Sequence, residues 1–96
     1  MPNSPGYVWE KMYLAIASMC GKSPLGERLT NATIPALMSL KEDDLPPGDL
    51  REDLKFVLKW TKENVMNSEP VKLPNDIEHS QLIEKMLHIL LETNDH

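Results

Sequence analysis

Ninety-six residues with a net charge of −5, a pI near 5.1 and 41% hydrophobic content describe one small acidic domain. Such a domain holds one apolar core but not a deep enclosed substrate chamber as well. The charge argues against a simple phosphate-backbone binder, the single cysteine (Cys20) rules out an internal disulfide or a cysteine-rich zinc site, and no apolar run is long enough to span a membrane.

Residues 1–6, rich in proline, asparagine and serine, read as an irregular lead-in without the basic and apolar regions of a signal peptide, so a cytoplasmic location is expected. From Tyr7 the pattern is helical: Val8, Met12, Ala15, Ile16 and Met19 recur at spacings of three and four, which predicts a first helix over 7–20. Gly21 sits where a left-handed residue would close that helix, and Cys20 is expected on its buried flank.

Ser23 and Pro24 then read as an N-cap and a first helical residue, opening a second helix over 24–40. Its stripe is Leu25, Leu29, Ala32, Ala36 and Leu40. Pro35 interrupts it, because proline removes a helical hydrogen bond and clashes with the preceding turn. The helix should be kinked there or split into 24–33 and 35–40. In the loop that follows, the tandem Pro46 and Pro47 bar a regular helix and Leu45 is the inward anchor.

Asp49, with Glu52 three residues on, has capping-box spacing for a third helix over 49–66 with the stripe Leu50, Leu54, Val57, Leu58, Thr61 and Val65. After a connector through Val71, Leu73 and Pro74, Asn75 and Glu78 repeat that spacing at the start of a fourth helix over 76–92. Its apolar face is read as Ile77, Leu82, Ile83, Met86, Leu87, Leu90 and Leu91, widened by Ile89. Residues 94–96 read as a frayed end. The expected fold is all-α: a compact four-helix bundle-like domain with proline-rich connectors, or five helices if the second splits at Pro35.

Motifs for chemistry are sparse. Gly21-Lys22-Ser23 ends like a phosphate loop, but the required earlier glycine is replaced by Ile16 inside a helix. His79 and His88 are nine residues apart and fall on different sides of one helix, and His96 is terminal. No metal, cofactor or catalytic group is therefore assigned. A pair between Arg28 and a carboxylate of the 42–44 loop is one arrangement that the pattern allows.

One surface stands out. Arg51, Lys55, Lys59 and Lys62 follow helical spacing along the third helix, with Phe56 and Trp60 beside them, a combination suited to anchoring a partner unless the two rings belong to the core. A secondary surface comprises Trp9 and Tyr13, one turn apart and placed to pack over the fourth helix, together with the acidic Glu42, Asp43 and Asp44. With Asp49, Glu52 and Asp53, these carboxylates also have the makings of a phosphate mimic. The expected function is binding of another protein, or of a second copy of the chain, as an adaptor, inhibitor or accessory subunit without catalysis. The rival from another class is a small nucleic-acid regulator reading through the second helix, whose readable groups are Glu27, Arg28, Thr30 and Asn31.

Overall fold

The structure, a computed structural model, describes residues 5–94. Four α-helices form the fold: α1 (Pro5–Met19), α2 (Leu25–Thr33), α3 (Asp49–Thr61) and α4 (Asp76–Thr93). Short 3-10 turns occupy Leu37–Ser39 and Glu42–Asp44, and a π turn at Lys62–Met66 extends α3. The protein is all-α, and no strand occurs among the described residues. No helix of the described residues is long and apolar enough to cross a membrane.

α1 begins at Pro5, two residues before the expected start, because proline needs no intrahelical N–H partner in a first turn. Residues 1–4 of the expected lead-in, and Asp95 and His96 of the expected frayed end, lie outside the described residues. Val8, Met12, Ala15 and Met19 carry α1's burial. Cys20 is exposed rather than buried: it falls one residue past Met19, about 100° further around the helix and off the buried line. Gly21 does not take a left-handed conformation. Instead the last turn tightens, with Cys20 N–H donating to Ala17 O at 3.2 Å and Gly21 N–H to Ser18 O at 3.3 Å.

Arg28 secures the next corner. Its Nη1 donates to Met19 O at 2.8 Å and its Nε to Ser23 O at 2.9 Å, so it caps the last carbonyl of α1 and ties down the connector to α2 instead of pairing with the 42–44 loop. Pro24, not Ser23, occupies the N-cap position of α2, and no side chain caps that end. α2 stops at Thr33, and the chain beyond Pro35 continues as a 3-10 turn rather than as α-helix. Burial nonetheless carries on through Ala36, Leu37 and Leu40.

The acidic loop is anchored from within. Asp44 is buried, and its Oδ2 accepts the backbone N–H of Lys41 at 2.9 Å. Leu45 is 3% exposed, and its carbonyl accepts Arg51 Nε at 2.7 Å. Gly48 turns the chain into α3 at φ 144°, a conformation open in practice to glycine alone. Gly48 therefore holds the N-cap position, and Asp49 becomes the first helical residue without a capping bond. Glu52 reaches Lys55 instead, at 3.6 Å.

α3 buries Leu54, Val57, Trp60 and Thr61. Its regular hydrogen bonding ends at Thr61, and the wider π turn closes with Asn67 N–H donating to Lys62 O at 2.9 Å, which keeps Val65 inside. α4 opens on a reciprocal cap: Glu78 N–H donates to Asn75 Oδ1 at 2.8 Å and Asn75 N–H to Glu78 Oε1 at 3.0 Å. Its buried line is Leu82, Met86, Ile89 and Thr93. Ile89 therefore lies at the centre of the packing, not at its margin, while Ile77, Leu87 and Leu91 face outward at 71%, 40% and 69% exposure. Those three sit more than a quarter-turn from the buried line, so their hydrophobicity is not matched by position.

α1 packs on both α2 and α4, and α4 packs on α1 and α3. One contiguous core results, running from Val8 in α1 to Ile89 in α4.

Candidate functional site

Of the six residues singled out along the third helix, five are divided between two of its sides. Lys55, Lys59 and Lys62 line an open cleft of about 630 Å³ between α3 and the segment following α2. Met38, Leu40 and Leu58 provide its apolar lining, and Glu42, Glu63 and Asn67 complete its rim. Phe56 and Trp60 point the other way, toward α4. Arg51 joins neither group, because its guanidinium is held at the Leu45 carbonyl.

The side facing α4 is closed by specific bonds. Trp60 is 8% exposed, and its indole N–H donates to Glu78 Oε2 at 3.2 Å. Asp53 accepts from Lys85 Nζ at 3.3 Å and contacts His88 Nδ1 at 2.6 Å through its other oxygen. Lys85 also sits over the Phe56 ring, 5.1 Å from its centroid. Glu78 links the α4 cap to this junction. The backbone N–H of Asn75, then the Trp60 indole and the charge of Lys72, hold its carboxyl below the ordinary value of 4.5.

The tie between Asp53, Lys85 and His88 is not among the candidate groups that motif spacing identifies. A signal for it exists: Asp53 and Phe56 are three apart on α3, and Lys85 and His88 are three apart on α4. Each pair therefore shares one helix face and matches the other in chemistry.

The cleft side is chemically different. Lys55 has an exposed partner in Glu52, an arrangement that contributes little to stability. Lys59 and Lys62 are exposed and have no carboxylate within ion-pair distance among the described residues. Lys59 also borders a smaller hollow beside Phe56, Trp60 and Glu63, where the aromatic edge and the lysine row meet.

The secondary surface is likewise divided. Trp9 and Tyr13 stack on each other with ring centroids 5.4 Å apart, Trp9 half-buried and Tyr13 52% exposed. Glu42 and Asp43 are exposed, and Glu42 is on the cleft rim. Asp44 is not a surface carboxylate, because the 3-10 turn folds it back onto Lys41 N–H. The loss of Asp44 to the interior and of Asp53 to α4 also takes both out of the six-carboxylate phosphate mimic.

α2 presents little for reading nucleic acid. Arg28, its one cation, is engaged by two backbone carbonyls, and Thr30 Oγ1 donates to Gly26 O at 2.9 Å. Among the described residues no three His, Cys, Asp or Glu side chains gather closely enough to hold a metal ion. The chain matches no known protein family, and no significant match is found to a curated protein or to a solved structure.

Proposed function

We propose that this chain is a small macromolecule-binding protein of the adaptor, inhibitor or accessory-subunit type, acting through the cleft on α3 and without catalysis. The observation that carries the reading is the pair Lys59 and Lys62: two exposed cations with no carboxylate within ion-pair distance among the described residues, on the rim of a cleft lined by Met38, Leu40 and Leu58. A lining of this kind takes an apolar anchor, and free ammonium groups beside it favour carboxylates flanking that anchor. The partner that fits is a segment of another protein carrying one or two large apolar side chains among acidic residues. Glu42 and Glu63 on the same rim disfavour a continuous phosphate backbone, which supports a protein partner over nucleic acid.

The test is capture from nuclease-treated lysate of the source organism with wild-type chain and a Lys59→Glu/Lys62→Glu variant as paired baits. A stoichiometric protein retained by the wild type and lost from the folded variant is the expected result. Identical protein sets on both baits, or association that vanishes with nuclease, would overturn the reading.

A further inference from the structure

α4 carries a second regular row of positions that the fold does not use. Ile77, Ser80, Glu84, Leu87, Leu91 and Asn94 are separated alternately by three and four residues. At about 100° per residue, this row runs along the side of α4 opposite the buried line of Leu82, Met86, Ile89 and Thr93. All six residues are exposed. Alternating three and four is the spacing by which one helix seats on another. Ile77, Leu87 and Leu91 thus place three large apolar side chains on one line, roughly 21 Å long. α4 meets α1 and α3, its buried line being Leu82, Met86, Ile89 and Thr93, while among the described residues Ile77 and Leu91 keep most of their surface open and Leu87 is partly covered.

Charge on the line decides what can cover it. Glu84 lies midway between Ile77 and Leu91, and no cation pairs with it among the described residues. The adjacent Lys85 is turned away to Asp53 and Phe56, and the Nδ1 of His88 is taken by Asp53. Asp76 and Glu92, both exposed on α4, add charge of the same sign. A second copy laid along this line in a centred register is disfavoured at its middle. An antiparallel pairing centred on the row, like a parallel one in register, sets Glu84 against its own counterpart and desolvates two carboxylates together. A helix with a Lys or Arg at that position removes the conflict and gains a charge-assisted contact.

We propose that the outward row of α4 docks an amphipathic helix from a different protein, one with apolar residues facing Ile77, Leu87 and Leu91 and a basic residue facing Glu84. This surface is independent of the α3 cleft and opposite to it in sign.

The probe is a fluorescently labelled three-heptad synthetic helix with leucines at alternating three and four spacing and lysine at the central position. A twin peptide carries glutamate there. Anisotropy titration of the full chain should show the lysine peptide bound at least about tenfold more tightly than its twin. Glu84→Lys should invert that preference. Leu87→Ser/Leu91→Ser should abolish binding of the lysine peptide with the far-UV circular dichroism unchanged. Lys59→Glu/Lys62→Glu should leave it intact, which separates failure of this surface from failure of the cleft. Equal affinity for the two peptides, a preference that survives Glu84→Lys, or a wild-type homodimer dissolved by Leu91→Ser would each overturn the proposal.

Discussion

The two sides of α3 have similar raw materials and different uses. Toward α4, Asp53, Phe56 and Trp60 each meet a particular partner in Lys85, His88 or Glu78. Toward the cleft, Lys59 and Lys62 meet none among the described residues. The difference teaches that residue type does not separate recognition from architecture on a small helical protein. Trp60 has the chemistry of an interface anchor, but its ring is buried and its N–H is satisfied, so it holds α3 to α4. A lysine row looks like an ordinary solvated face until its neighbours prove apolar and two of its ammonium groups are left without an ion pair among the described residues.

The strongest way to break this comparison is Trp60→Ala. With the ring 8% exposed, its loss should destabilise the isolated chain by about 3–5 kcal/mol in urea or thermal unfolding. Lys59→Ala or Lys62→Ala should stay within about 0.5 kcal/mol of wild type in the same assay. A Trp60→Ala chain as stable as the lysine variants would place the ring on the surface.

Asp53→Ala comes next. It leaves Lys85 and His88 without their acceptor, and unfolding should record a loss of roughly 1.5–3 kcal/mol. Glu52→Ala, one residue away but paired only with an exposed lysine, should fall within about 0.5 kcal/mol. Equal effects for the two would remove the distinction between the sides.

How much of this was legible in the sequence follows the range of each interaction. The four apolar stripes, the inward Leu45 and the reciprocal cap of Asn75 and Glu78 depend on neighbours within a few residues, and periodicity reveals them. Asp44, Cys20 and Arg28 depend on where a turn closes: one more or fewer residue of helix decides whether Cys20 is inside, and Arg28 selects carbonyls only after α1 has ended. Gly48 takes over the N-cap of α3 through a backbone conformation that no side-chain pattern announces. The outward row on α4 is hard to separate because leucine and isoleucine occur on nearly every side of that helix. Only the packing of α1 and α3 selects Leu82, Met86 and Ile89 as the inner set. The same limit applies to the candidate site: the lysines were visible as a row, but the cleft beside them is made by Met38 and Leu40 from beyond the Pro35 break.

A smaller test changes sign. Thr33 is fully buried, and its hydroxyl has no hydrogen-bond partner among the described residues. Thr33→Val removes that orphaned group at nearly constant shape and should stabilise the chain by about 1 kcal/mol in denaturant unfolding. A loss of stability would mean the hydroxyl is bonded in solution.

The finest test uses pH. Glu78 has a carboxyl held below its ordinary value, so its bonds to Asn75 and Trp60 stabilise the fold at neutral pH and are lost as pH falls through the lowered value. In a Trp9→Phe background, Trp60 emission should change over that acidic range, and Glu78→Gln should remove the transition. A transition that persists in Glu78→Gln would assign it to another group.

The division of α3 is tested most directly by the Lys59→Glu/Lys62→Glu variant, with unfolding free energy and nuclease-resistant partner capture measured on one preparation. Wild-type stability together with lost capture is the expected result. A fall in stability comparable to that of Asp53→Ala, or undiminished capture by a fully folded variant, would contradict it.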